Sequence, residues 1–154
     1  MKMQEEKTKI LVVDDDQSIT EVLKVILEAR GYEVDTASTG KEAIEKSKEK
    51  IYNLAILDIR LPDMEGTKLL KAMRETTPKM VKIMLTGYTQ LQNAIDALND
   101  GASAYFIKPV DPAKLIKTIE EKLLEQKEAN ETTQDNIAKY LKTRTEKLLQ
   151  ELKK

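Results

Sequence analysis

Ile10-Leu11-Val12-Val13-Asp14-Asp15-Asp16 sets four consecutive apolar residues, three of them β-branched, directly before three carboxylates. A run that is apolar at every position, with no alternation, suits a strand covered on both faces, the habit of parallel sheets. Two further runs follow the same pattern. Leu54-Ala55-Ile56-Leu57 leads into Asp58, and Ala104-Tyr105-Phe106-Ile107 leads into Lys108-Pro109. As parallel strands of one sheet, the three gather their terminal charges at one edge, in the crevice where open α/β sheets hold ligands. Several carboxylates and one ammonium in such a crevice suit a divalent cation and a phosphoryl group.

Around these runs the chain alternates short β-rich stretches with longer amphipathic ones, the signature of βα units. Strands are predicted at 9–13, 33–36, 53–57, 80–85 and 104–107. Ile19, Val22, Leu23, Ile26 and Leu27 recur at helical spacing, and Gly31 follows as a stop. Gly40-Lys41-Glu42-Ala43-Ile44 opens a second helix, and Gly66 to Glu75 forms a third that ends before Pro78. Gln90 to Asp100 makes a fourth, with Gly101 as its cap, and Pro112 opens a fifth that carries Leu115, Ile116, Ile119 and Leu123. The expectation is a doubly wound α/β domain with a five-stranded parallel sheet over residues 8–125, a typical single-domain size of about 120 residues.

Residues 126–154 read as a C-terminal helical extension or linker. The segment is polar and lacks Gly and Pro, with sparse apolar positions at Ile137, Leu141, Leu148 and Leu152. A heptad can be drawn through Ala138, Leu141, Thr145, Leu148 and Leu152, but it spans too few repeats to establish a coiled coil. A solvated helix docked lightly on the domain is expected ahead of a dimerising one.

Composition narrows the chemistry. The 154 residues include no Cys and no His, which excludes disulfides, thiolate metal sites, thiol nucleophiles and histidine general bases. Carboxylate, hydroxyl and Lys remain. With Lys+Arg at 26 and Asp+Glu at 27, the net charge is -1, so there is no global pull toward nucleic acid or anionic membrane. Met1 to Lys9 lacks the apolar core of a signal peptide, and no apolar run is long enough to cross a bilayer. A cytoplasmic protein is expected, with no membrane association. In the tail, Lys139, Lys142, Arg144 and Lys147 are interspersed with acids, and no helix-turn-helix pattern appears. The stretch after residue 125 is too short for a DNA-binding output domain, so direct nucleic-acid binding is not expected.

Grouped carboxylates repel one another unless a cation joins them. Mg²⁺ answers that need, since it favours oxygen ligands and is held by one or two carboxylates together with phosphate oxygens. A carboxylate in such a site can act as a nucleophile toward phosphorus. Asp58, alone at the end of a central strand, is the best nucleophile candidate, with Asp14 and Asp15 as metal holders and Lys108 as a point charge. Asp16, just before Gln17-Ser18, reads as a helix N-cap.

The stretches Ile10 to Asp16, Leu57-Asp58-Ile59-Arg60-Leu61-Pro62-Asp63-Met64-Glu65-Gly66, Met84-Leu85-Thr86-Gly87-Tyr88 and Tyr105-Phe106-Ile107-Lys108-Pro109 together resemble the response regulator receiver domain of two-component signalling. The resemblance covers about residues 8–125 and implies a flavodoxin-like sheet of strand order 2-1-3-4-5. It also implies roles. Asp58 resembles the phosphoacceptor, supplied by a sensor histidine kinase or a phosphotransfer protein. Asp15 resembles the direct Mg²⁺ ligand and Asp14 the one acting through water, with Asp58 itself and the Arg60 backbone carbonyl as further ligands. Lys108 resembles the Lys that pairs with phosphoryl oxygens, and the Lys108-Pro109 bond is expected to be cis. Thr86 and Tyr105 resemble the hydroxyl and aromatic members of the switch.

The implied output surface is the fourth helix, fifth strand and fifth helix, here 90–100, 104–107 and 112–124. Through it a downstream protein partner, or a phosphorylation-dependent homodimer, would be engaged. Arg60 and Tyr88 stand where bulky side chains are expected to shield an acyl phosphate from water. Beyond self-catalysed phosphotransfer and autodephosphorylation, no enzyme activity is implied. Two alternatives stand beside this reading. One is a receiver-plus-linker portion of a larger regulator with a separate output domain. The other, remote, is a haloacid-dehalogenase-like phosphatase, suggested by the Asp-x-Asp within Asp14-Asp15-Asp16 but left with only Asp111 as a late acid.

Overall fold

The computed structural model describes residues 7–87 and 101–153; the predicted helix at 90–100 and Tyr88 lie outside the described residues. The elements run β1 (Lys9–Val13), α1 (Gln17–Ala29), β2 (Glu33–Ala37), α2 (Gly40–Glu49), β3 (Leu54–Leu57), α3 (Gly66–Thr76), β4 (Val81–Thr86), β5 (Ala104–Ile107) and α4 (Pro112–Leu152). All strand pairings are parallel and the order is β2-β1-β3-β4-β5, the flavodoxin-like order implied by the resemblance.

The apolar runs form the interior because both faces of the sheet are covered. Leu11, Val13, Ala55, Leu57 and Met84 point to one side and pack with Ala43 of α2 and Leu69, Leu70 and Met73 of α3. Ile10, Val12, Leu54, Ile56, Ile83 and Leu85 point to the other and pack with Leu23 and Leu27 of α1 and Leu115 and Ile119 of α4. Short-range polar chemistry sets where the helices begin. The Asp16 carboxylate accepts from Ser18 N at 2.9 Å, the N-cap expected of it, and Thr39 and Asp111 cap α2 and α4 in the same way. Gly31, at φ +90°, ends α1 in the left-handed region that favours glycine.

No Gly or Pro follows Pro112, and α4 accordingly crosses the expected 125/126 boundary as one helix of 41 residues. Gln126 pins it where it leaves the sheet. Its Nε2 donates to the carbonyls of Asn53 and Lys79, each at 2.9 Å. Both carbonyls belong to loops entering β3 and β4, so the contact lies at the end of the sheet opposite the charged strand ends.

Lys82 interrupts the apolar core of β4. It is 2% exposed, and its ammonium donates to the carbonyls of Thr77 at 2.9 Å and Met80 at 3.0 Å, at the C-terminus of α3 where carbonyls gather partial negative charge. Burial, with the Arg74 charge adding to it, holds the ammonium below the usual lysine range. Charging this group in the folded state therefore costs stability, while its stem fills space. Lys82→Met should leave stability within about 1 kcal/mol of the parent or above it. Lys82→Ala, which empties the site, should lose about 2–4 kcal/mol. Urea titration followed by circular dichroism checks both, and equal losses in the two variants would show that the ammonium's hydrogen bonds dominate.

Candidate functional site

Strand register builds the site. Val13 pairs with Leu57, so the next residues along β1 and β3, Asp14 and Asp58, emerge side by side. Their backbones are tied in place: Asp14 N donates to Ala37 O at 3.1 Å, and Asp58 N to Val13 O at 3.0 Å. Both are buried, at 3% and 8% exposure, whereas Asp15 is exposed. Each of the three offers a carboxylate oxygen within 4.8 Å of the others. On the far side, Thr86 pairs with Ile107, which delivers Lys108 just past the end of β5. The Lys108 ammonium lies 2.6 Å from Asp14 Oδ2 and 3.5 Å from Asp58 Oδ2. The Lys108-Pro109 bond is cis, as the resemblance implies.

The electrostatics follow from this crowding. Burial raises the Asp58 carboxyl above the ordinary carboxylate range, and the neighbouring Asp14 charge raises it further. Lys108 and the Arg60 N–H, 3.5 Å from Asp58 Oδ1, oppose the rise without cancelling it. For Lys108, burial works against the charge, but the hydrogen bond and field of Asp14, with Asp58 behind it, hold the ammonium above the usual lysine value. Two buried carboxylates and one exposed one form an oxygen donor set that suits a hard divalent ion, with the Lys108 ammonium beside it.

The loop after β3 closes over the site. Gly66 N bonds to Ile59 O, and a Cβ on Gly66 would overlap the Asp58 carbonyl oxygen, so only glycine fits there. Arg60 forms an antiparallel bridge with Glu65 and has an exposed side chain. Asp63 spans to α2, accepting from Gly40 N and Lys41 N at 2.9 Å each, and those two N–H groups hold its carboxyl below the usual range. Thr86 is 3% exposed at the end of β4, and its carbonyl accepts from Lys108 N at 2.6 Å. Tyr105, half-buried on β5 opposite Met84, packs against the α2–α3 side of the core. Its hydroxyl is buried with no hydrogen-bond partner among the described residues.

Comparison with known proteins agrees with this geometry. The response regulator receiver domain family model matches residues 10–120. The chain belongs to that family. A response regulator receiver domain protein (CheY-like) from Methanospirillum hungatei JF-1 superposes with a TM-score of 0.79 at 48% identity, covering 80% of this chain and 99% of that one. The beryllofluoride-activated NtrC4 receiver domain dimer superposes at 0.74 with 36% identity, covering 77% and 98%. Among curated proteins, the transcriptional regulatory protein ZraR of Klebsiella oxytoca is 40% identical over 121 residues, which cover 79% of this chain. The chain spans about a quarter (27%) of the length of that relative.

Receiver domains are signalling domains of two-component systems, and phosphorylation and Mg²⁺ binding are general features of the family. In this receiver Asp14, Asp15, Asp58 and Lys108 are together, with Thr86 and the Arg60 backbone bordering them. Asp111, the late acid a phosphatase would need, caps α4 by accepting from Ala113 N at 3.0 Å. Among the described residues no helix is long and apolar enough to cross a membrane. Asp63 was not assigned a role from sequence, although its place within the Leu57–Gly66 stretch was the available signal.

The raised Asp58 carboxyl has a consequence for stability. A carboxyl that holds its proton more tightly folded than unfolded costs stability above its folded pKa, and the cost lifts as pH falls. In EDTA at neutral pH, Asp58→Asn should therefore be more stable than the parent by about 1 kcal/mol, a rise of roughly 2–4 °C in Tm. The gap should close on acidification, and a gap that is absent at neutral pH or widens in acid would count against the reading. Tyr105→Phe removes a buried hydroxyl that has no partner among the described residues and should cost nothing or stabilise, by up to about 1 kcal/mol. Thermal melts of the two variants beside the parent supply the check.

Proposed function

We propose that this receiver is a phosphorylation switch in which Asp58 accepts a phosphoryl group from the phosphohistidine of a sensor histidine kinase or a phosphotransfer protein. The observation that carries the reading is the position of Lys108, within reach of both Asp14 and Asp58 in a buried acidic crevice. An Asp58 carboxylate oxygen attacks phosphorus, the O–P bond forms and the P–N bond of the donor breaks. Asp14, Asp15, Asp58 and the Arg60 backbone carbonyl would hold Mg²⁺, which would supply neutralisation of the charge on the transferring group. Lys108 leaves Asp14 for the new phosphoryl oxygens. Positioning and electrostatics supply most of such catalysis.

Phosphorylation adds roughly −1.5 to −2 charge and three acceptor oxygens at one point. The Thr86 hydroxyl is drawn toward them, and Tyr105 repacks in response. Output passes through the surface of 90–100, β5 and residues 112–124 of α4, to a downstream protein or to a second copy. The activated NtrC4 receiver dimer is a related case supporting the last route. Residues 8–125 act as the receiver and 126–154 as its extension, in the cytoplasm, without direct contact to nucleic acid by this chain.

A second reading, a receiver and linker belonging to a larger regulator, is favoured by the 27% coverage of ZraR and by the unbroken run of α4 past the domain.

Incubation with acetyl phosphate and Mg²⁺ should add one phosphoryl group, mapped by mass spectrometry to Asp58. EDTA or Asp58→Ala should abolish it, and labelling that survives Asp58→Ala sinks the assignment. Replacing Arg60 and Tyr88 together by small residues should shorten the phosphoryl half-life, and an unchanged half-life removes them from shielding.

A further inference from the structure

The first N–H groups of a helix find no acceptor inside it and must be satisfied from elsewhere. At α2, Thr39 Oγ1 takes the N–H of Glu42 at 3.1 Å, and the Glu42 carboxylate reaches back to Ser38 N at 3.1 Å. The N–H groups of Gly40 and Lys41 remain. Both go to Asp63, one to each carboxylate oxygen, at 2.9 Å. Asp63 lies 23 and 22 residues further along the chain and is itself exposed. The start of α2 is the positive end of the helix dipole, which favours a carboxylate there.

The other end of this contact is the loop that follows Asp58. Arg60 bridges Glu65, Leu61 N donates to Met64 O at 3.2 Å, and Gly66 N donates to Ile59 O. Residues 59–66 therefore fold back on themselves, with Asp63 near the tip. Met64, next in sequence, lies so close to Gly40 that a Cβ there would overlap its side chain. The tip is held on α2 by two hydrogen bonds and this close approach, while the base of the loop carries Asp58 and Arg60.

We propose that Asp63 is a positioning residue for the metal site: its grip on α2 fixes the aim of the Arg60 carbonyl, and Mg²⁺ and that grip strengthen one another. The proposal rests on the metal-ligand roles given above to Asp14, Asp15, Asp58 and Arg60. A side-chain ligand adjusts through its rotamers, but a backbone carbonyl points where the dihedrals of its loop put it. Mg²⁺ demands near-ideal octahedral geometry, whereas Ca²⁺ accepts flexible coordination. Loosening the loop three residues beyond Arg60 therefore costs Mg²⁺ more than Ca²⁺. The field of a lost carboxylate, by contrast, weakens both divalent ions alike. Linkage makes the effect mutual: whatever factor the grip contributes to Mg²⁺ affinity, bound Mg²⁺ returns to the grip.

Two variants separate positioning from a merely structural role. Asp63→Ala releases the loop, while Thr39→Ala removes a cap from the same helix end and leaves the loop held. Each should lower Tm by roughly 2–4 °C. In isothermal titration calorimetry, Asp63→Ala should weaken Mg²⁺ binding about fivefold and Ca²⁺ binding by less than about twofold. Thr39→Ala should change neither. In the parent, saturating Mg²⁺ should slow amide exchange at Gly40 and Lys41 about fivefold relative to EDTA. Undiminished Mg²⁺ affinity in Asp63→Ala, an equal loss in Thr39→Ala or for Ca²⁺, or unchanged amide exchange would each overturn the proposal. A parent protein that binds no Mg²⁺ would overturn the metal-site reading and this proposal with it.

Discussion

Two carboxylates held side by side in a buried crevice repel, and the rest of this receiver is arranged around that repulsion. The register of β1 on β3 makes the juxtaposition unavoidable, since Asp14 and Asp58 each follow a paired residue, Val13 and Leu57. A single ammonium, Lys108, answers it from β5, two strands away from β3. The arrangement leaves Asp58 with its carboxyl raised while Lys108 stays firmly charged. A site balanced this way suits further positive charge, because the Lys108 ammonium already serves two acids.

Such strain in charge needs a rigid floor, and the apolar strands supply it. With both faces of β1, β3 and β4 buried, neither Asp14 nor Asp58 can relieve the repulsion by shifting its backbone. The loop after β3 is fixed as well, by Gly66 folding onto Asp58 and by the Asp63 carboxylate gripping the N-terminus of α2. Asp63 therefore ties the reactive strand end to a helix on its flank through two charge-assisted hydrogen bonds, stronger than neutral ones.

What could be read from sequence was local or periodic. Continuous Val/Ile/Leu runs marked the buried strands, Gly31 and Pro112 marked helix ends, and Asp16 was legible as a cap because capping depends on residues one or two positions away. The motifs carrying Asp14, Asp15, Asp58, Thr86, Tyr105 and Lys108 were legible as a set. Contacts across tens of residues left no periodic trace. Gln126 reaching Asn53 and Lys79, and Lys82 reaching the end of α3 from inside an apolar strand, depend on tertiary placement. A lysine between Val81 and Ile83 breaks the apolar pattern without saying where its ammonium goes. The unbroken course of α4 followed from the absence of Gly and Pro, yet which of its apolar residues are covered shows only once the sheet is in place.

The single course of α4 links the charged end of the sheet to the stretch of helix beyond the other. Lys108 N is bonded to Thr86 O, and α4 starts four residues after Lys108. From Pro112 the helix runs 41 residues, about 60 Å, with no residue that would break it. A tilt of ~5° at its base would carry its far end roughly 5 Å, while the same tilt moves the buried turn around Ile116 by a fraction of that. Among the described residues, Gln126, holding the carbonyls of two different loops, makes the last hydrogen bond between the domain and the rod. Beyond it any tilt at the base of the helix would be magnified by length alone, and the apolar side chains that would feel the displacement most are the ones the domain leaves bare.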